Sequence, residues 1–302
     1  MEHQVVDEVM TTDYRIRATA ADGLLRAVAV SLTGAVKEAQ RAHQAWPVAA
    51  AAMGRVMTTA AILAADMKDD EGRLTVEVQG DGPLGRVVAE IRPNGELRAR
   101  VQHPTVDLPV RADGKLAVGQ AVGTDGYFRV LRQDAQGQWY QGQVELKTGE
   151  IGDDFLHYLW QSEQVPSAAS IGVLVGTEGE VIGAGGILVQ AMPGCPSDLV
   201  DQVADDFKQL TQISRRLADG ETLASLIHQV LPEPIHEFPQ EALAFHCWCE
   251  RERIVDALRT LPAPDLMDLI NDGGAEVTCH YCRRAYQFSQ EELQSLRGNS
   301  AT

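Results

Sequence analysis

The chain has 302 residues, 44% hydrophobic and 23% charged, which supplies enough apolar material for a core and excludes disorder throughout. Lysine and arginine number 26 against 43 aspartates and glutamates, and the resulting charge of −17 argues against duplex nucleic acid or anionic lipid as the main partner. No apolar run is expected to approach the ~18–20 residues of a membrane span, and the start MEHQVVDEVM lacks the pattern of a signal peptide, so the expected location is cytoplasmic.

Residues 1–192 read as a mixed α/β unit. Over 24–39, Leu25, Val28, Ala29, Leu32 and Val36 recur at helical spacing. Residues 45–67 are rich in Ala and Met, and Pro47 suits a first helical turn. Strand signals follow. Leu74, Val76 and Val78 alternate with Thr75, Glu77 and Gln79, and 87–91, 97–101, 127–131 and 139–144 are similar. Turn pairs such as Asn94-Gly95 and Asp125-Gly126 separate them. Residues 153–163 read as a helix, and 171–176 with 181–190 as a hairpin across 177–180.

Residues 193–246 differ in character. Pro193, Gly194 and Pro196 break the preceding strand, and Asp198 is expected to cap a helix carrying Leu199, Val203, Phe207, Leu210, Ile213 and Leu217 on one stripe. A second helix is expected over 222–231, ending at Pro232 and Pro234. Nine acids stand against Lys208, Arg215 and Arg216 between 196 and 246. Such a segment has little of its own to pack on. It reads as a metastable helical linker whose apolar stripe lies on the first domain, the alternative being an ordinary helical extension of the core.

Residues 247–302 form a small module. Ile254, Val255, Leu258 and Leu261 mark one helix, and 265–270 a second, stopped by Gly273-Gly274. Short strands are expected at 277–278 and 285–288, and Ser289 with Glu292 forms a capping box for a last helix. The expected fold class is α+β, in three parts: core 1–192, linker 193–246, module 247–302.

The module holds four of the five cysteines, in the pattern Cys247-Trp248-Cys249 and Cys279-His280-Tyr281-Cys282. Two close pairs of thiolates suit one tetrahedral zinc ion, closed to substrate. His246 and His280 lie beside the cysteines and could substitute as ligands, but four cysteines make that unnecessary. On the residues alone, several readings stay open. The module is a zinc ribbon, with Arg283-Arg284 either contacting nucleic acid or forming a solvated turn. It is a rubredoxin-like iron site, which C-x-C fits less well. It is a dithiol relay. Or it is a redox switch. At about fifty residues the module is small enough for its folding to depend on the metal. On oxidation each cysteine has an immediate neighbour, Cys247 beside Cys249 and Cys279 beside Cys282, and disulfides closing such short loops are readily reduced. Cys195 stands apart and receives no role.

The motifs Phe245-His246-Cys247-Trp248-Cys249 and Val277-Thr278-Cys279-His280-Tyr281-Cys282, with Tyr286-Gln287-Phe288 following, resemble the redox switch of the heat shock protein 33 family of bacterial chaperones. The resemblance extends through Arg41-Ala42-His43, Gly80-Asp81-Gly82-Pro83-Leu84, Ser162-Glu163-Gln164 and Gly185-Gly186-Ile187-Leu188-Val189-Gln190. It implies an ATP-independent holdase. Reduced, Cys247, Cys249, Cys279 and Cys282 would bind one zinc and the protein would be inactive. Oxidised, the disulfides Cys247–Cys249 and Cys279–Cys282 would form, zinc would leave, and module and linker would unfold. The active form would bind unfolding client proteins and dimerise. Glu250 departs from the family, which usually has Ser there; its carboxylate disfavours further negative charge nearby. The bottom-up alternative is a zinc-stabilised regulatory or nucleic-acid-binding protein without chaperone activity.

Two glycine motifs are set aside. Gly80–Gly85 spells G-x-G-x-x-G, but a strand rather than a helix is expected after it, and the same holds for 181–186. No G-x-S-x-G or H-E-x-x-H is present, and His43 sits on an apolar helical stretch as a packed side chain. No enzyme is expected.

Overall fold

The computed structural model describes residues 13–67 and 71–297. Residues 1–12, on which the signal-peptide expectation rests, lie outside the described residues, as do 298–302 of the expected module. The chain divides into two compact units between Phe245 and His246.

The first unit begins with β1 (Tyr14–Ala20), β2 (Leu25–Ser31), α1 (Thr33–His43) and α2 (Pro47–Leu63). It continues with β3 (Arg73–Gln79), β4 (Arg86–Ile91), β5 (Glu96–Val101), α3 (Val118–Val122), β6 (Tyr127–Gln133), β7 (Trp139–Glu145) and α4 (Gly152–Tyr158). The long hairpin β8 (Ser167–Val175) and β9 (Val181–Ala191) follows, then α5 (Ser197–Gln209), α6 (Ile213–Ala218) and α7 (Leu223–His228). Three short strands close it: β10 (Ile235–Glu237), β11 (Glu241–Ala242) and β12 (Ala244–Phe245). The strands form two sheets. One has the order β10-β1-β2-β9-β8, with β11 also on β1; the other is β12-β5-β4-β3-β6-β7.

Helix α2 packs on strands of both sheets. Pro47 opens it, as read from the sequence, and nearly every side chain along it is buried. Its alanines let the two sheets approach closely. With the turn that follows, Pro47–Asp66 makes 20 residues of mean hydropathy 1.6, long and apolar enough to cross a membrane. The expectation of no such run is therefore corrected. Of this window 94% is buried within the protein, as the core helix between two sheets requires.

The helix expected over 24–39 is also corrected. Residues 25–31 are strand β2, and helix starts only at Thr33. Strand β2 is buried on both faces. Leu25, Ala27 and Ala29 enter one apolar cluster, while Val28 and Val30 enter the main core beside α2. A strand with no polar face loses its period-two signature, and any apolar run then contains helical spacings. Asp13 fixes the start of α1. Its carboxylate accepts the N–H of Gly34 at 2.8 Å and that of Ala35, and burial raises its pKa. His43 is buried, with Nε2 3.0 Å from the Ala99 carbonyl oxygen, a packed side chain as expected. Gly80–Gly85 makes the β3–β4 turn, which agrees with setting aside the dinucleotide reading.

The apolar stripe of 197–218 lies on the first sheet. Val203, Leu210 and Ile213 join Ile16, Ala27, Ala29, Ile187 and Val189 in the second cluster. The single helix expected there is two, broken where Gln212 adopts φ 53°. Helix α5 is capped by Pro196, so Asp198 lies in its first turn rather than at the cap. The break lets α6 settle against glycines of β9. A side chain at Gly183 would collide with the Ser214 carbonyl, and one at Gly185 with Leu217. Thr222 caps α7, accepting the Ser225 N–H at 3.2 Å. Between α6 and α7, Arg216 grips Glu221 with two bonds of 2.6 and 2.7 Å, and this holds the Glu221 pKa down to about 2.

The second unit contains α8 (Arg251–Arg259), α9 (Ala263–Asn271), the hairpin β13 (Gly274–Thr278) with β14 (Ala285–Ser289), and α10 (Gln290–Arg297). Its buried core among the described residues is Leu258, Leu266, Ile270, Phe288, Leu293 and Leu296. Ser289 and Glu292 form the expected capping box, with reciprocal bonds of 2.8 and 3.2 Å.

Leu226 is fully buried where α7 meets the sheet. Leu226→Ala is expected to cost about 2–5 kcal/mol. Hydrogen exchange should then accelerate in α5–α7 before it does in β3–β7. A depressed carboxylate stabilises the folded form above its unfolded pKa and loses that effect as pH falls through its folded one. The α6–α7 clasp should therefore loosen between pH 4.5 and about 2, and Glu221→Gln should abolish that step in an acid titration followed by hydrogen exchange.

Candidate metal centre

Cys247 and Cys249 lie on irregular chain just before α8, with Cys249 followed by its capping residue Glu250. Cys279 and Cys282 lie on the turn joining β13 to β14. The Cys279 N–H donates to the Arg284 carbonyl, and the Arg283 N–H donates back to the Cys279 carbonyl, both at 2.9 Å. Arg283 takes φ 61° to close this knuckle. The Arg283-Arg284 pair thus shapes the turn through its backbone, and both side chains are exposed.

The four Sγ atoms lie within 4.8 Å of one another. Cys247 Sγ is 3.7 Å from Cys279 Sγ, and Cys249 Sγ is 3.3 Å from Cys282 Sγ. A tetrahedral ion with bonds of about 2.3 Å needs sulfurs about 3.8 Å apart. The donor set therefore fits one such ion. All four cysteines are half-buried, and neither His246 nor His280 belongs to the group. Cys195 lies elsewhere, against the second apolar cluster of the first unit.

The crowding of the sulfurs shows in their acidity. Cys279 is pulled down to about 4, first by the hydrogen bond from Cys247 and then by the N–H groups of Cys282 and Tyr281. Cys247 is pushed up because its S–H serves Cys279. Burial pushes Cys282 up to about 11. One thiolate forms easily and its neighbours resist, so a divalent cation replacing the remaining protons relieves the repulsion.

Beyond its place in a motif, Tyr286 carries no role that the sequence alone reveals. Its hydroxyl lies 3.2 Å from Cys249 Sγ and 3.0 Å from the Cys249 carbonyl oxygen. The hairpin register places it opposite Val277, two residues before Cys279, and that cross-strand pairing was the available signal. Glu250 is exposed and lies 3.8 Å from Arg253, so its charge is screened.

Two sheets around a buried helix, followed by a small unit built around four converging sulfurs, define a cysteine-cluster protein of mixed fold. Known proteins supply the family. The family model described as Hsp33 protein matches residues 13–289. The 33 kDa chaperonin of Bacillus subtilis (strain 168) is 40% identical over 286 residues, covering 94% of this chain and 98% of that one. The 33 kDa chaperonin of Staphylococcus aureus (strain Newman) is 37% identical over 289 residues, covering 95% and 98%. The crystal structure of the 33 kDa chaperonin, a heat shock protein 33 homologue, from Thermotoga maritima superposes with a TM-score of 0.85 at 32% identity, covering 94% and 97%. The chain belongs to the Hsp33 family, a family of chaperones.

Outer-shell partners of metal ligands tune affinity by about 10–100-fold. Tyr286→Phe is expected to weaken metal binding by about that factor while keeping one ion per chain, read by competition with a chelator.

Proposed function

We propose that the chain is an ATP-independent, redox-regulated holdase of the cytoplasm, in which 1–192 is the chaperone core, 193–246 the linker and 247–302 the switch. The observation that carries this is the convergence of four sulfurs in a small unit whose apolar cluster, among the described residues, has six buried side chains. Cys247, Cys249, Cys279 and Cys282 hold one zinc ion in the reduced protein. Zinc supplies a closed cross-link between the segment before α8 and the hairpin. Without it the small core is insufficient to hold the fold.

Activation is a thiol oxidation. Cys247 and Cys249 as thiolates give two electrons to one oxidant, and Cys279 and Cys282 give two to a second. Each hypochlorous acid becomes chloride and hydroxide, or each hydrogen peroxide becomes two hydroxides, and one S–S bond forms per pair. The disulfide sulfurs no longer carry the charge that holds zinc. The pairing Cys247–Cys249 and Cys279–Cys282 rests on adjacency and on the family resemblance. The short contacts across the pairs do not oppose it, since every edge of a tetrahedron is equivalent. The switch unit unfolds, and the linker, which is acidic and borrows its apolar cover from the sheet, follows. Clients then bind the uncovered surface, and the activated form dimerises.

Oxidised protein is expected to suppress aggregation of a chemically denatured client at near-stoichiometric amounts without ATP, and reduced protein is not. Zinc release should be about one per chain, with both expected disulfides found by peptide mass mapping. Equal protection by both forms would end the redox reading. Zinc-bound protein that protects in neither form would favour a purely structural module.

A further inference from the structure

The end of the linker is a strand layer. β10 and β11 pair antiparallel with β1, placing Ile235 opposite Ala20, Glu237 opposite Ala18, Glu241 opposite Arg15 and Ala242 opposite Tyr14. The Phe238 N–H donates to the Arg17 carbonyl at 2.8 Å and the Leu243 N–H to the Asp13 carbonyl at 3.0 Å, so the edge of β1 is occupied along its whole length. The register gains a residue at Pro239-Gln240, and proline suits a position that gives no ladder bond.

One side-chain contact stands out. Arg15 is 3% exposed. Its guanidinium reaches Glu241 at 2.6 Å, the Ala61 carbonyl at 3.3 Å and the Pro93 carbonyl at 3.5 Å. Arg17 meets the other Glu241 oxygen at 2.9 Å. Among the described residues Glu241 is the one carboxylate paired with Arg15, and it belongs to the linker. Arg17 also lies over the Phe238 ring, 5.4 Å from its centroid, and Leu243 is buried. When the linker leaves, β1 becomes a bare strand edge with a buried cation that has lost its anion. Removing one partner of a buried pair is strongly destabilising, and open edges recruit extended chain.

We propose that the β1 edge is a client-binding site, and that residues 235–243 occupy it as a built-in substitute for the client. The partner is an extended polypeptide segment that pairs antiparallel with β1, places a carboxylate at Arg15 and Arg17, and follows it two residues later with an apolar side chain in the Leu243 position. This rests on the holdase reading and adds what it lacks: a place and a chemical preference for clients. Fully apolar segments satisfy the edge but leave Arg15 unpaired. Acid-bearing strands satisfy both.

The test uses the full oxidised chain and a labelled synthetic peptide of residues 234–244, followed by fluorescence anisotropy. The oxidised chain should bind it and the reduced chain should not, because the site is filled. The peptide carrying Glu241→Gln should bind at least about tenfold more weakly, the scale of one charged hydrogen-bonded contact. Unlabelled peptide should reduce protection of a denatured client. Placing the substitution in the peptide avoids an Arg15 variant that fails to fold, and Arg17→Ala in the chain, at a half-exposed position, gives a second reading through weakened peptide binding. Equal binding of the Glu and Gln peptides, or no binding by an oxidised chain that still protects clients, would overturn the proposal. Loss of the holdase reading itself would show separately, as oxidised chain that gives no protection before any peptide is added.

Discussion

At the middle of the first sheet β2 carries apolar side chains on both faces, and the rest of the molecule answers that constraint. Along β2, Val28 and Val30 turn to the α2 side while Leu25, Ala27 and Ala29 turn the other way. A sheet of this kind needs two covers. The first is α2, itself almost wholly buried and held between two sheets. The second is α5–α7, a charged segment that contributes one apolar stripe. The two covers are unequal in kind. Removing α2 would dismantle both sheets, whereas removing α5–α7 would leave the α2 side of the core intact and uncover the other.

The second unit depends on a different economy of contacts. Among its described residues one apolar cluster has six buried side chains, and the four sulfurs join the segment before α8 to the hairpin. Tyr286, the backbone of the Cys279–Arg284 knuckle and the N–H groups of Tyr281 and Cys282 are arranged around them. These polar groups serve the sulfurs, while the apolar groups of so small a unit alone would make a marginal fold.

Much of this was legible in the sequence. β3–β7 were readable because each has one polar face, as in Thr75, Glu77 and Gln79 between Leu74, Val76 and Val78. The cysteine spacing was readable because metal chemistry restricts it. β2 was hidden, since a strand buried on both faces lacks alternation, and 24–31 took on the spacing of the helix that follows; β1 does alternate, Ile16 and Ala18 against Arg15 and Arg17. The closing strands were hidden for another reason. Two or three residues carry no period, and β10–β12 exist because a partner edge is there. Glu241 looked like one more acid in an acidic linker. Its significance lies in Arg15, 226 residues away, and no local pattern could connect them.

The closing strands fasten both sheets. β11 holds β1 of the first sheet, and β12, beginning two residues after β11 ends, holds β5 of the second. Between them Leu243 is buried and donates its N–H to Asp13, and the Ala244 N–H donates to Gly95. Fastenings so close along the chain cannot release one after the other at leisure; the strain of losing one falls directly on the next. Detachment of this segment, on the switch reading proposed above, would therefore behave as a threshold event. A population of these molecules passing through release would divide into closed and open forms, and a graded signal would change the proportion of open molecules rather than the degree to which each one is open.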